Sequence, residues 1–243
     1  MNRNIMEIKV IFDKDTKDKN LKSGWGVSFL IGDELLFDTG EKGEYLVENL
    51  KRLNIDIKKI KKVVISHDHW DHTGGLWNLL KIKKEINIYG CPGFSEKFKQ
   101  NVKENRGNFV EVEAFTVMKE NEIFLTGEIK GKYKGEKIVE QSLVIKSNNG
   151  ISIITGCAHP GILRIVDLVR NYFLEEKIYA VIGGFHLIEK DKRIIEIIVD
   201  EFKKRNVEKV GPTHCAGITG INLFKEKYHN NFIEVRVGET IEL

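Results

Sequence analysis

The stretch Ser66-His67-Asp68-His69-Trp70-Asp71-His72 gathers three imidazoles and two carboxylates within six residues, directly after an apolar run. Neutral imidazole and carboxylate are the donors that zinc and its neighbours among the divalent metals prefer. In extended backbone, side chains two apart point the same way, so His67 and His69 can grip one cation. The turn that follows then presents Asp71 and His72 to a second. A chance polar turn would not gather three of the seven histidines in 243 residues.

Three more histidines stand in related surroundings. Gly156-Cys157-Ala158-His159, Gly183-Gly184-Phe185-His186 and Pro212-Thr213-His214-Cys215 each close a short apolar run. His186, after two glycines, can turn its ring and the neighbouring backbone N–H groups toward an anionic substrate group. Cys215 reads as a small core residue, and Trp25, Trp70 and Trp77 as packing groups, with Trp70 bordering the pocket. Glu140 and Gln141 are further candidates to face the site, although the sequence does not orient them.

The elements that must carry these groups alternate from end to end: Val-, Ile- and Phe-rich segments are followed by charged segments of helical period, the pattern of an α/β domain. Strands are expected at Glu7 to Phe12, Val27 to Ile31 and Glu34 to Phe37, with a helix from Glu44 to Leu53. The strand Lys62 to Ser66 runs into the His-rich loop, and a helix begins near Gly74. Strands follow at Asn87 to Tyr89, Phe109 to Glu113 and Glu122 to Gly127, with a helix around Ser95 to Glu104. The run Ser142 to Thr155 is a hairpin turning at Ser147-Asn148-Asn149-Gly150. Helices at Ile162 to Phe173 and Arg193 to Arg205 separate strands at Tyr179 to Ile182 and Val207 to Val210. A helix near Leu223 to Tyr228 and a strand from Phe232 end the chain. No repeat or linker divides it, so residues 1–243 read as a single domain.

Composition narrows the function classes. Thirty-nine basic against 36 acidic residues leave a formal charge of +3, too mild for a nucleic-acid partner. Three cysteines without a CxxC pair give no disulfide framework, and no signal-like or membrane-spanning apolar run is present. The expected setting is the cytoplasm, and the expected partner a small anionic substrate.

His67-x-His69-x-Asp71-His72, with Leu36-Phe37-Asp38-Thr39-Gly40 upstream, resembles the signature of the metallo-β-lactamase superfamily. The wider set of Gly26 to Ile31, Gly156 to Gly161, Gly183 to Leu187 and His214-Cys215 is similar to a branch of that superfamily. That branch is named for a dihydropterin ribofuranosyl-aminobenzene phosphate synthase of methanopterin biosynthesis. The resemblance implies a four-layer αβ/βα sandwich with a dinuclear site at one edge between two sheets. It also implies that His214 binds the second metal with Asp71 and His72, and that Asp38 supports the His loop.

One departure stands out. Where most members carry a His four residues before the hairpin Ser, this chain has Ile138, and Cys157 replaces the usual bridging Asp. His159 is then the candidate to complete a set with His67 and His69, and Cys157 can bridge or bind as thiolate. The resemblance implies two divalent ions, zinc first with iron or manganese as alternatives, that make a water acidic enough to attack an ester. Asp71 would orient it and carry its proton, and His186 would meet the developing oxyanion. A phosphodiester or cyclic phosphate is the expected substrate. A pterin-related phosphoribosyl or condensation enzyme, and a catalytically weak metal-dependent sensor, are the alternatives.

Overall fold

The computed structural model describes residues 6–120 and 122–243, and all of its elements lie within them. The first half runs β1 (Glu7–Phe12), β2 (Ser28–Ile31), β3 (Leu35–Phe37), α1 (Gly43–Arg52), β4 (Lys62–Val64), α2 (Trp70–Thr73), α3 (Leu76–Ile82), β5 (Asn87–Gly90), α4 (Glu96–Glu104) and β6 (Asn108–Glu111). The second runs β7 (Thr116–Lys119), β8 (Ile123–Leu125), β9 (Ile129–Tyr133), β10 (Glu136–Glu140), β11 (Leu143–Ser147), β12 (Gly150–Thr155), α5 (Ile162–Tyr172), β13 (Ile178–Gly184), α6 (Lys192–Lys204), β14 (Lys209–Thr213), α7 (Gly217–Tyr228) and β15 (Thr240–Glu242).

Seven strands form one sheet in the order β15-β1-β2-β3-β4-β5-β6, and six form another in the order β14-β13-β12-β11-β8-β7. The four layers follow from period-two alternation along these strands. Phe37, Val64, Leu143, Ile154 and Ile182 turn into the core between the sheets. Their neighbours Leu36 and Val63 turn outward against Leu46, Leu50, Leu79 and Phe98 of the first helix layer. On the other side, Val144, Ile153 and Val181 meet Ile165, Val169, Val199 and Phe202 of the second. This is the expected αβ/βα sandwich. Helices α1, α4, α5 and α6 are amphipathic along one stripe, and that stripe is what packs into the layer.

Three local expectations are corrected. The helix expected near Gly74 begins at Trp70, inside the His-rich stretch, and restarts at Leu76. Between the two pieces Gly75 N–H donates to the Gly40 carbonyl at 3.1 Å instead of to Asp71, and Gly74 and Gly75 press so close to the carbonyls of Glu41 and Thr39 that a Cβ would fall 2.0 and 2.2 Å from oxygen. The strand expected from Phe232 contributes one bridge to Val210; after a turn at Gly238, the paired strand is Thr240–Glu242 against β1. The final helix starts at Gly217, six residues before Leu223. Among the described residues no helix is long and apolar enough to cross a membrane.

The parallel set β12, β13 and β14 sends three chain segments off the same edge of its sheet, and β3, β4 and β5 do the same opposite. Loops after the carboxyl ends of parallel strands are where an α/β fold collects its ligands. Every candidate histidine lies in one of them.

Candidate metal centre

The loop after β4 is built around one carboxylate. Asp38, buried at the end of β3, accepts from Ser66 N–H at 2.7 Å through Oδ1 and from Ser66 Oγ–H at 2.7 Å through Oδ2. The same Oδ2 lies 2.7 Å from Nδ1 of His72, and Ser66 Oγ lies 2.9 Å from Nδ1 of His67. Each imidazole therefore anchors its Nδ1 and turns its Nε2 inward. This is how carboxylates orient metal-binding histidines. Gly156 permits the arrangement, since a Cβ there would sit 2.0 Å from Ser66 Oγ and 2.8 Å from Asp38 Oδ2.

His67, His69 and His159 bring one ring nitrogen each within 4.8 Å of one another. Burial, aided by the neighbouring imidazoles, holds His67 well below its ordinary pKa and His159 at about 3. Both rings are neutral at physiological pH, the form that binds a cation. A second group joins Asp71, His72, Cys157 and His214 within the same limit. Asp71 Oδ2 lies 3.3 Å from His214 Nε2 and 3.5 Å from His72 Nε2, and Cys157 Sγ lies 3.3 Å from His72 Nε2. Burial alone would favour a neutral Asp71, but hydrogen bonds with His214 and His72 outweigh it and hold the carboxyl well below the usual range. Gly26 N–H donates to His214 Nδ1 at 3.1 Å and fixes that ring's plane.

The donor set suits divalent cations on a direct observation. Nε2 of His67, both ring nitrogens of His159 and Nδ1 of His186 are buried with no hydrogen-bond partner. Buried polar atoms are rarely left so, and a cluster of them facing one space is what a cation satisfies. His67, His69 and His159 would hold one ion, and Asp71, His72, Cys157 and His214 a second. Burial raises the Cys157 thiol, so a cation is what would make it a thiolate.

His159 owes its place to Glu140, which the sequence could not orient. Its buried carboxylate accepts from the N–H groups of Cys157 at 2.9 Å, Ala158 at 2.8 Å and His159 at 2.8 Å. Glu140 thus points into the backbone of the loop, away from the pocket. Gln141 donates through Nε2 to the carbonyls of Ile65 and Tyr89 and stays outside the site as well. His186 joins Cys157 and His159 in a third group, its ring centroid 4.4 Å from that of His159. It does not join the group of His67 and His69, whose third member is His159.

One pocket of about 450 Å³ opens over these residues, lined by His69, Asp71, Cys157, His159, His186 and His214 at its floor. Its walls include Trp25, Trp70, Tyr133, Ile188 and Glu189. Trp25, a packing residue by sequence, stands with its ring centroid 4.6 Å from that of His214. The motifs do not point to Tyr133, yet its ring lies 5.2 Å from His69, 5.0 Å from His159 and 5.7 Å from His186, centroid to centroid. The alternation Ile129-Lys130-Gly131-Lys132-Tyr133 is the local signal that could have found it.

An αβ/βα sandwich with an HxHxDH loop at the seam of its sheets defines a class, and the chain belongs to the metallo-β-lactamase superfamily. The family model described as the metallo-beta-lactamase superfamily matches residues 26–117. The chain is 32% identical over 263 aligned residues to the 7,8-dihydropterin-6-methyl-4-(beta-D-ribofuranosyl)-aminobenzene-5'-phosphate synthase of Methanocaldococcus jannaschii, covering 89% of each. It is similar in structure to a protein described as a metal-dependent hydrolase of the beta-lactamase superfamily, with TM-score 0.81 and 30% identity over 98% of this chain and 99% of that one. The metallo-beta-lactamase fold protein YhfI of Bacillus subtilis shares the fold at TM-score 0.68 and 16% identity, covering 98% and 99%.

Proposed function

We propose that this chain is a metal-dependent hydrolase that opens a phosphodiester, cyclic phosphate or related ester of a small anionic molecule. The observation that carries the reading is the pairing of two donor groups, His67/His69/His159 and Asp71/His72/Cys157/His214, of which His69, Asp71, Cys157, His159 and His214 line one pocket. Two divalent ions held there, zinc first, would supply an acidified water and positive charge for the oxygens of an in-line displacement.

The chain's own groups divide the remaining work. Asp71 stays charged, because its histidine neighbours outweigh burial, and so it accepts a hydrogen bond from the attacking water without retaining the proton. That proton is free to pass to the leaving oxygen. His186 stands at the pocket floor with Nδ1 unpartnered and can donate to the oxyanion that forms. The free, buried cysteines Cys91, Cys157 and Cys215 agree with a reducing, cytoplasmic setting.

The test is a panel of phosphodiesters, cyclic phosphates and carboxylic esters assayed with metal-loaded protein and with Asp71→Ala. Turnover should appear in the first and fall by roughly two to four orders of magnitude in the second, the scale of a proton-transfer group. Near-normal turnover in a metal-replete Asp71→Ala protein would show that the role is misassigned.

A second reading has its own support. The alignment with the methanogen synthase spans 89% of both chains, and that enzyme's name describes a product coupling a dihydropterin methyl to a ribofuranosyl-aminobenzene phosphate. Under this reading the floor holds a substrate phosphate or leaving anion, with no water as nucleophile. Product analysis separates the two: release of phosphate or alcohol from esters supports hydrolysis, and a pterin-aminobenzene product from mixed precursors supports coupling.

A further inference from the structure

The strands β9 and β10 pair only with each other and belong to neither large sheet. Their hairpin has two unlike faces. Lys130 and Lys132 are exposed, while Ile129, Gly131 and Tyr133 alternate with them and turn inward. The inner face is seated on the His159 loop: a Cβ at Gly131 would lie 2.8 Å from Pro160 N and 2.9 Å from the His159 carbonyl carbon. This close approach carries Tyr133 over the pocket, where its ring is inclined at 61°, 60° and 74° to the imidazoles of His69, His159 and His186.

Other large side chains complete a wall of the same character. Trp70 lines the pocket with 62% of its surface exposed, although its neighbours His69 and Asp71 are site residues. Ile188 lines it with 53% exposed. Both are among the few large hydrophobic residues that the fold leaves in solvent, and both are at this mouth. A phosphate group needs nothing beyond the polar floor. About 450 Å³ bordered by two indoles, a phenol ring and an Ile side chain accepts a substantial body behind the reacting group. Glu189 at the same mouth disfavours further negative charge there, so the anionic end lies at the floor.

We infer that the pocket takes an anionic substrate whose non-reacting part is a planar aromatic ring, received by Tyr133 of the β9–β10 hairpin and by Trp70. Aromatic faces prefer offset or edge contacts with another ring at about 4.5–7 Å, beyond what a saturated group of equal area gains. The inference rests on the proposed anion-binding floor for its polarity and on the hairpin geometry for its ring.

The experiment is equilibrium binding, by calorimetry on Zn2+-loaded protein, of methylphosphonate, cyclohexylphosphonate and phenylphosphonate. Wild type should bind the phenyl compound about three- to tenfold more tightly than the cyclohexyl one, the range expected of an aromatic pair. Tyr133→Ala and Trp70→Ala should each bring that ratio toward one, and Tyr133→Phe should keep it. Zinc content and melting temperature identify any variant that has lost its fold, and the exposed Trp70 gives a variant with little packing to lose. Absence of a phenyl preference in wild type overturns the inference, as does its persistence in both Ala variants. Methylphosphonate binding without phenyl preference would leave the phosphoester reading standing and the ring platform refuted. A Tyr133-dependent phenyl preference without measurable methylphosphonate binding would do the reverse.

Discussion

Asp38 Oδ2 lies 2.7 Å from His72 Nδ1 and accepts from Ser66 Oγ at the same distance, so one carboxylate oxygen steadies a histidine of each donor group. The two halves of the centre are therefore supported in common. Asp38 adopts φ 54°, a left-handed conformation that Asn tolerates better than most residues. Asp38→Asn keeps that backbone and removes the charge that orients both rings. Metal affinity should fall by about 10- to 100-fold, measured by chelator competition, with both equivalents affected. Unchanged affinity at both sites would contradict the shared support.

Gly156→Ala should damage the site from behind. Its Cβ would meet Ser66 Oγ and Asp38 Oδ2, neither of which can retreat without breaking the relay to His67 and His72. Chemical denaturation should show a loss of about 1–3 kcal/mol, the cost of overpacking a filled interior. Metal content should fall with it.

Purified protein should carry close to two equivalents of transition metal by elemental analysis. His159→Ala should lower this toward one, because His159 shares its group with His67 and His69. His186→Ala should keep both and show its effect on KM or kcat. If His186→Ala strips a metal and His159→Ala does not, the roles are exchanged.

Asp13 gives a pH signature of its own, one residue removed from His214 through its bond to Thr213. Fully buried and accepting from Thr213 Oγ at 2.5 Å, it has its pKa raised to about 7, burial outweighing its hydrogen bonds. Unfolded, it titrates near 4, so from about pH 4 to about pH 7 the folded state holds the extra proton. Stability is thus favoured at the acid end of this window and lost as pH rises through it, by at most about 1.4 kcal/mol per pH unit. Glu140, also raised to about 7 by burial, adds a slope of the same sign. The difference between wild type and Asp13→Asn isolates Asp13: the stability advantage of wild type should shrink from pH 5 to pH 7.5 and then level. A flat difference would show that Asp13 does not titrate in this window.

Much of this molecule is legible in its sequence because the chemistry sits where periodicity changes. The apolar runs read to end at Ser66, Thr155, Ile182 and Val210 lie within three residues of the strand ends at Val64, Thr155, Gly184 and Thr213, and the histidines after them mark the candidate centre. What escapes is orientation and long-range packing. Nothing local says that Glu140 bends into the amides of residues 157–159, since those amides lie 17 to 19 residues away. The β9–β10 hairpin escapes for another reason: lysines at its exposed positions make an alternating strand read as a charged loop. Trp25 is told from a packing residue only by its neighbour His214, which lies at the other end of the chain.

Asp38, Ala158, His186 and His214 have φ of 54°, 63°, 50° and 49°. None is glycine, and each sits in one of the loops that build the centre. A left-handed conformation at such residues costs free energy that regular structure must offset. Exchange for glycine would relieve the backbone at each position while removing a donor, a supporting carboxylate or a packed methyl. At Asp38 the lost bonds to Ser66 and His72 outweigh that relief, so directed evolution for heat resistance alone should enrich glycine at the other three positions and yield robust proteins with impaired centres. Selection that also demands bound metal should confine its stabilising changes to the helices on the outer faces.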